Sequence, residues 1–300
     1  MWYKEGVLNG IDIPPFWKVL RPDHLRGLVM VIGAPDSGKS TFCRYLYSQL
    51  LVHQRPCAYL DGDPGQSFLG PPTTLSLAIG DLKQPTQVWR RFVASISPRG
   101  NMLSMLTAVS RLMRKGFRQN AEVIVYDTDG LVDPLQGGIY YKFALIELLA
   151  PQAICFLSLE NELQPLLNYF QRQNRHTVYH FYASSAVQPR SPDVRRQYRT
   201  AQFAAYFSSA RQIEIDWREM PIWPAPRFFP NQLLALTDRE GYCLSLAILL
   251  DHHVEAKRLQ LLTPLSGIES IAGIHLSRLA LDPQTFQTHL FAADTVSKED

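Results

Sequence analysis

The sequence is organised around a glycine-rich loop at residues 33–41. The loop reads Gly33-Ala34-Pro35-Asp36-Ser37-Gly38-Lys39-Ser40-Thr41, which has the G-x-x-x-x-G-K-[ST] spacing of a phosphate-binding loop. An apolar run at 28–32 precedes the loop and a helical pattern at 42–51 follows it, so a chance match is disfavoured. In this arrangement backbone N–H groups and the helix N-terminus face phosphate oxygens. We therefore predict that these loop residues bind a nucleoside triphosphate, with Lys39 on the outer phosphates and Ser40 on Mg²⁺.

The composition is that of an ordinary folded protein. Of the 300 residues 46% are hydrophobic and 19% are charged, which suits one large domain and a small one. The net charge of +3 is too small to indicate a partner. The four cysteines lie in apolar stretches without metal-ligand spacing, so we expect buried thiols in a reducing compartment. Because no signal peptide or long apolar run is visible, we expect a cytoplasmic protein without a membrane partner.

Apolar strands alternate with helical patterns up to about residue 182. The strands are predicted at 57–61, 122–127, 153–159 and 177–182, and the helices at 101–117, 139–149 and 162–172. Residues 71–100 read as irregular apart from a strand at 91–96. This alternation predicts an α/β fold, a P-loop NTPase-like parallel sheet flanked by helices, with the nucleotide at the carboxyl ends of the strands.

The pattern changes near residue 217. Four prolines between 221 and 230 indicate a linker, and short strands follow at 233–237, 242–249, 260–263, 275–279 and 289–291. We predict a lead-in at 1–27, a P-loop domain at 28–216 and a small β-rich C-terminal domain at 217–300. In the lead-in, the aromatic segment 14–17 is expected to cover an edge of the sheet; contact with a nucleobase is the alternative.

Two strands end in acidic residues. The strand at 57–61 continues into Asp61-Gly62-Asp63-Pro64-Gly65-Gln66, where carboxylates beside a phosphate loop would manage Mg²⁺ and a nucleophile. A Gly/Pro turn with two capping aspartates is the alternative. The strand at 122–127 ends at Asp127, and the spacing Asp127-x-x-Gly130 is that of a GTPase switch sequence.

An arginine-rich segment follows the last predicted strand of the first domain. Arg190, Arg195, Arg196 and Arg199 are offset only by Asp193. A helix to about residue 206 would place Arg195 and Arg199 on one face. One interpretation of this helix is a solvated basic surface. The other is an arginine lid at 190–206 that closes over the transferred phosphate.

Together these motifs resemble those of the P-loop polynucleotide 5′-hydroxyl kinases over residues 25–216. That family includes the RNA kinase subunit of the eukaryotic pre-mRNA cleavage factor and the kinases of ribosomal RNA processing, and this chain looks like a short, prokaryote-type member. The matching motifs are Asp36 before Gly38-Lys39-Ser40, Asp61-x-Asp63-x-Gly65-Gln66, the clasp Thr128-x-Gly130 and the lid Arg195-x-x-x-Arg199. The family's clasp often ends in an aromatic residue, and here that position holds Leu131.

The resemblance implies transfer of the γ-phosphate of ATP or GTP to the 5′-hydroxyl of RNA or DNA. Its implied catalytic residues are Lys39, Asp61, Asp63, Gln66, Arg195 and Arg199. Ser40 would ligate Mg²⁺, Asp61 would hold metal-bound water and Asp63 would polarise the 5′-hydroxyl; the two aspartates could exchange roles. Arg190 and Arg196 are candidates for contact with nucleic-acid phosphates.

Two other functions fit part of the sequence. A GTP-driven switch would share the phosphate loop and Asp127-x-x-Gly130, but the chain has no Asn-Lys-x-Asp motif for guanine. A switch also has no need of the acidic loop at 61–66. A nucleotide-binding scaffold without catalysis is the third class, although none of the acidic or basic candidates is missing. The kinase therefore ranks first.

Overall fold

The computed structural model describes residues 13–184 and 186–291, and these form two compact units. The first unit takes the described residues up to Leu69, then Leu75–Trp89 and Ser97–Ser191. The second takes Gly70–Thr74, Arg90–Ile96 and the described residues from Pro192. The domain limits predicted at 27/28 and 216/217 stay a prediction.

A mostly parallel sheet forms the centre of the first unit. Its strands within the described residues are β1 (Gly27–Gly33), β2 (Cys57–Gly62), β3 (Thr74–Asp81), β4 (Gln84–Phe92), β5 (Val123–Thr128), β6 (Ala153–Ser158) and β7 (Thr177–Tyr182). They lie in the order β4-β3-β2-β5-β1-β6-β7. The pairs β2–β5, β5–β1, β1–β6 and β6–β7 are parallel, and β2–β3 is antiparallel. The predicted α/β fold class is confirmed.

Helices connect the parallel strands. They are α1 (Lys39–Val52), α2 (Met102–Arg118), α3 (Gly138–Leu149) and α4 (Gln164–Phe170). The apolar periodicity of α2 buries Met105, Val109 and Leu112, as a helix packed on a sheet requires. Since β1 is flanked by β5 on one side and β6 on the other, the loop after β1 lies where the strand order reverses, and open α/β sheets bind ligands at such a point.

The lead-in packs on the first unit. In the short 3₁₀ helix Pro15–Val19, Trp17 is buried and lies edge-on to Phe42 of α1, with ring centroids 5.1 Å apart. Phe16 stacks on Phe181 of the edge strand β7 at 5.7 Å. These contacts support the structural role predicted for segment 14–17. The beginning of the lead-in lies outside the described residues.

The expectation for residues 71–100 is wrong. Strands β3 and β4 occupy most of this range, and the strand expected at 91–96 lies earlier in the chain. Strand β3 is buried over its first residues, but β4 is an edge strand of mostly half-buried and exposed residues that is rich in polar side chains and contains Pro85. An edge strand needs no continuous apolar run, because only part of it packs on the core.

The second unit is a mostly antiparallel sheet with one helix, since only the short strand β9 pairs in parallel, with β13, among the described residues. It contains α5 (Pro192–Phe207), β8 (Arg211–Asp216), β9 (Ile222–Trp223), β10 (Gln232–Thr237), β11 (Cys243–His253), β12 (Arg258–Thr263), β13 (Gly273–Leu281) and β14 (Thr288–Leu290). The order is β14-β13-β10-β11-β12-β8, with β9 beside β13. The turn predicted at 238–241 joins β10 to β11, where the backbone N–H of Tyr242 donates to Asp238 at 2.8 Å.

Both faces of this second sheet are covered. Leu234, Leu236 and Ile274 belong to the core on one face. On the other face Leu233 and Ala235 pack with Phe203 and Phe207 of α5, and Phe92 from the segment 90–96 joins this core. Alternating residues of β10 therefore serve two cores, as the period of a strand demands.

Two further observations concern the whole described chain. The four cysteines are free and buried, as predicted. None of the described helices has the length and apolar character needed to cross a bilayer.

Candidate active site

The phosphate loop curls between the end of β1 and the start of α1. Gly38 caps α1 with φ +86°, a conformation that favours glycine, and Asp36 has φ +56°. A Cβ at Gly33 would lie 2.7 Å from the carbonyl oxygen of Leu157, so only glycine fits there. Lys39 begins the helix, and its side chain is buried and folds back to donate from Nζ to the Ala34 carbonyl at 3.4 Å. The predicted loop thus has the backbone geometry of a phosphate cradle.

Asp127 is a site residue whose contribution the sequence analysis missed. It is the second-last residue of β5, in register with Val31 of β1 and with Asp61 of β2. The side chain is buried, and the Tyr59 hydroxyl donates to Oδ2 at 3.0 Å. Oδ1 is buried and has no hydrogen-bond partner within the described residues. Burial raises the pKa of Asp127, and the neighbouring Lys39 and Ser40 oppose this rise. Asp127 therefore offers an unpartnered oxygen beside the residues that would hold Mg²⁺.

Asp61 is buried at the end of β2 and organises the loop that follows it. Its Oδ2 accepts hydrogen bonds from the Ser67 hydroxyl at 3.0 Å and from the backbone N–H groups of Phe68 and Leu69 at 2.7 and 3.0 Å. Its Oδ1 accepts from the backbone N–H of Asp63 at 3.3 Å. Burial, reinforced by the charge of Asp127, raises the pKa of Asp61 to about 7. Both carboxylate oxygens are therefore engaged inside the loop.

Asp63 and Gln66 lie on the same loop with more access to solvent. Asp63 Oδ1 accepts from the backbone N–H groups of Gly65 and Gln66, each at 2.9 Å. These are the capping bonds of the alternative interpretation, and they leave the other carboxylate oxygen for further contacts. The charge of Asp63 contributes to the raised pKa of Asp127, so the two carboxylates lie within electrostatic reach of each other. The structure thus brings Asp61, Asp63 and Asp127 to the same edge of the sheet as Lys39.

The predicted clasp contacts β1 and the phosphate loop. The Thr128 hydroxyl donates to the Val31 carbonyl at 2.8 Å. Gly130 packs closely against Pro35: a Cβ at position 130 would lie only 2.9 Å from the Pro35 nitrogen. Any side chain at Gly130 would displace the loop, which explains a glycine at this position.

The predicted arginines are divided between the two units. Arg190 belongs to the first unit and grips Asp36 of the phosphate loop: its backbone N–H donates to Oδ2 at 2.9 Å and its Nε to Oδ1 at 3.0 Å. Arg195, Arg196 and Arg199 lie on α5 in the second unit, where Arg196 pairs with Asp193 at 2.8 Å. The lid and nucleic-acid roles of these arginines stay predictions.

The fold and this edge of the sheet define a P-loop nucleotide-binding protein. A family model described as "mRNA cleavage and polyadenylation factor CLP1 P-loop" matches residues 33–209, which is more than half of the chain. The chain therefore belongs to the CLP1 P-loop family, and the predicted family resemblance is confirmed.

Relatives in archaea and a fungus are similar to the chain over different lengths. A polyribonucleotide 5′-hydroxyl-kinase of Pyrococcus furiosus is 25% identical, over 84% of this chain and 86% of that protein. Its counterpart from Methanocaldococcus jannaschii is 24% identical, over 89% of this chain and 91% of that protein. The polynucleotide 5′-hydroxyl-kinase GRC3 of Candida albicans is 40% identical over 78 residues, 23% of this chain and 11% of that protein.

A solved structure has the same fold. The structure of wild-type Clp1p in complex with Pcf11p matches with a TM-score of 0.66 and 16% identity, over 88% of this chain and 77% of that chain. At this identity the likeness shows the fold alone.

Proposed function

We propose that the protein is a polynucleotide 5′-hydroxyl kinase that transfers the terminal phosphate of ATP or GTP to the 5′-hydroxyl end of RNA. The observation that carries the proposal is the convergence of Asp61, Asp63 and Asp127 on the edge of the sheet that holds Lys39. A GTP-driven switch has no use for the acidic loop at 61–66. RNA ranks ahead of DNA because the archaeal relatives are named polyribonucleotide kinases.

The residues present fit a magnesium ion. Mg²⁺ takes hard oxygen ligands and keeps several waters, and the Ser40 hydroxyl and the unpartnered Oδ1 of Asp127 are such oxygens. When bound, Mg²⁺ neutralises charge on the β- and γ-phosphate oxygens. Asp127 would hold the ion through water, and Ser40 would ligate it directly. The metal role predicted for Asp61 stays a prediction. The Asp61 carboxylate already accepts four hydrogen bonds, so it offers a metal-bound water less free acceptor capacity than Asp127 does.

The phosphate loop binds and orients the donor. Its backbone N–H groups surround the phosphates, and Thr41 would help to anchor the inner ones. Lys39 would exchange its present hydrogen bond, from Nζ to the Ala34 carbonyl at 3.4 Å, for contacts with the β- and γ-phosphates. Phosphoryl transfer of this kind depends mainly on positioning and charge stabilisation.

The acidic loop orients the acceptor. Asp63 is the better placed of the two aspartates to polarise the incoming 5′-hydroxyl, because one of its oxygens is not engaged by the turn. Asp61 holds the loop that carries Asp63, and Gln66 would orient the hydroxyl or a water. Asp61→Asn and Asp63→Asn, each assayed for transfer of label to RNA, decide which of the two aspartates polarises the hydroxyl; we expect the larger loss of kcat in Asp63→Asn.

The arginines complete the proposal. Arg195 and Arg199 would stabilise the charge on the transferred group, and Arg190 and Arg196 would contact nucleic-acid phosphates. Four buried thiols suit a reducing compartment, so a cytoplasmic location remains part of the proposal.

Labelled ATP and GTP test the function directly. The protein is incubated with each γ-labelled donor, Mg²⁺ and 5′-hydroxyl oligonucleotides of RNA or DNA, with 5′-phosphorylated strands and Lys39→Met as controls. We expect label on the 5′-hydroxyl RNA and none in either control. Release of phosphate without a labelled strand would overturn the kinase and favour the switch.

A further inference from the structure

A buried ion pair lies directly behind the clasp. Lys142 of α3 and Asp129 have side chains that are 0% and 1% exposed, and Nζ of Lys142 lies 2.9 Å from Oδ2 of Asp129. The same Nζ donates to the backbone carbonyl of Asp129 at 2.8 Å. Asp129 Oδ1 also accepts from the backbone N–H of Leu131 at 2.9 Å. Lys142 thus holds one clasp residue by both its side chain and its backbone.

The backbone that this pair fixes is the part that contacts the phosphate loop. Thr128 precedes Asp129, and its hydroxyl donates to the Val31 carbonyl near the end of strand β1. Gly130 follows Asp129 and packs on Pro35. Asp127, two residues before Asp129, carries the unpartnered oxygen beside Lys39. A shift of residue 129 would therefore move Thr128 and Gly130, and with them two supports of the phosphate loop.

The ion pair is within electrostatic reach of the site residues Lys39 and Asp63. Burial lowers the pKa of Lys142, and the charge of Asp129 opposes this effect. Lys39 and Asp63 also act on Lys142 through their charges, in opposite directions. Removing two charges from water is costly, and an apolar pair of similar volume often stabilises a fold as well or better. Stability alone therefore gives little reason for an ion pair at this place.

We propose that the Lys142–Asp129 ion pair is a positioning device for phosphoryl transfer. It holds residues 128–130 against the phosphate loop, so that Lys39 and Asp127 keep the relative position that the transferred phosphate requires. The inference rests on the proposed kinase function. Lys142 and Asp129 are positioning residues, since they act through Thr128, Gly130 and the loop.

The test separates positioning from folding by using two variants and a matched control. Asp129→Asn keeps the shape of the side chain and an oxygen for the Leu131 N–H but removes the charge. Lys142→Met removes both contacts of Nζ. The control is Leu149→Ala, a buried position on the same helix seven residues after Lys142. Melting temperature, kcat, KM for RNA and the Kd for ADP are measured for each protein.

We expect the two pair variants to lose about 10–100-fold in kcat, because a displacement of about 1 Å can cost this much. The Kd for ADP and the KM for RNA should change less than about 3-fold, since ground-state contacts remain. Leu149→Ala should keep the wild-type kcat even where its melting temperature falls as far as that of the pair variants. A second readout is the gain in affinity when aluminium fluoride is added to ADP, a mimic of the transferred phosphate, and this gain should shrink only in the pair variants.

Equal kcat values for the pair variants and for Leu149→Ala at matched melting temperature would overturn the proposal. Should Lys142→Met not fold, Asp129→Asn carries the test alone, because asparagine has nearly the same volume as aspartate and leaves no cavity. If the wild-type protein labels no nucleic acid, the proposed kinase function fails. The aluminium fluoride comparison then still decides the role of the pair, because hydrolysis would use the same phosphate loop.

Discussion

At the scale of single residues, the site places three carboxylates at the edge of the sheet that also holds one buried lysine, Lys39. Asp61, Asp63 and Asp127 influence one another, and each raised pKa among them reflects burial before charge. Without a bound cation, such a cluster destabilises the fold, because buried carboxylates lose their hydration and repel one another. It suits a site that binds cations and a hydroxyl group. The lysine and the proposed Mg²⁺ would offset this cost when the donor is bound.

The raised pKa of Asp61 predicts how stability depends on pH. The folded state binds the Asp61 proton with a pKa of about 7, against an ordinary value of 3.8. At a pH between these two pKa values the folded state holds more protons than the unfolded state, so the free energy of unfolding falls as the pH rises. The stability that the bound proton contributes is lost as the pH passes through about 7. From pH 5 to pH 8 this loss amounts to roughly 2 to 3 kcal/mol.

Urea unfolding of the wild type and of Asp61→Asn at pH 5 and pH 8 measures this effect. The asparagine variant should show a smaller decrease than the wild type. Burial lowers the pKa of His275 to about 4, which acts in the opposite direction below neutral pH, but this residue is present in both proteins and its effect cancels in the comparison. The same pH dependence in both proteins would contradict the prediction.

The contribution of Asp127 depends on sheet order, which explains why the sequence concealed it. The acid at the end of the strand was visible, but only the pairing of β5 with both β1 and β2 brings it beside Lys39. By contrast, the phosphate loop was predictable residue by residue, because its chemistry lies within one continuous segment. Lys142 gave no signal, since a lysine in a helix predicts a solvated side chain.

At the scale of elements, prediction succeeded where a helix or strand has one strongly apolar face. The helices at 101–117 and 139–149 and the strand at 177–182 were placed within one or two residues of their observed bounds. The short strands β8 and β9 and the edge strand β4 were missed or misplaced. Strand β9 is too short to show a pattern, β4 is mostly polar, and the alternation in β8 is confined to Ile213 and Ile215. Strands β8 and β9 pair with strands much later in the chain, β12 and β13, whereas β4 lies beside the preceding strand β3.

Helix α5 offers a test with its own internal control. Arg199→Ala should lower kcat at least about 100-fold, since an arginine at the transferred phosphate can contribute 10³-fold or more. Nucleotide affinity should change less than about 3-fold. On the same helix, Arg196→Ala should keep kcat, raise KM for RNA and reduce the salt dependence of RNA binding by about one phosphate contact. Steady-state kinetics and nucleotide titration measure both; equal losses of kcat and affinity in Arg199→Ala would contradict the lid.

At the scale of the whole molecule, the order of the chain does not match the division into units. The second unit takes Gly70–Thr74 and Arg90–Ile96 before the chain returns to the first unit, and it takes the described residues from Pro192 afterwards. The backbone N–H of Val93 donates to the Thr73 carbonyl at 2.9 Å, which joins the two early segments. Phe92 and Val93 are buried. A unit built from separate segments is seldom visible in a sequence, because each segment is too short to indicate a domain.

This division predicts the behaviour of a fragment that ends at Ser191. The fragment keeps residues 90–96 but lacks Phe203, Phe207 and the strands with which Phe92 forms a core, so it exposes apolar side chains. We expect it to bind the dye ANS, to associate in sedimentation and to be cleaved by proteases within 90–96. The matched control is the same fragment with Phe92→Ser and Ile96→Ser, which should bind less dye and stay monomeric because the exposed apolar surface is gone. A monomeric wild-type fragment with sharp cooperative urea unfolding and no dye binding would show that segment 90–96 needs no residue after Ser191 to cover it.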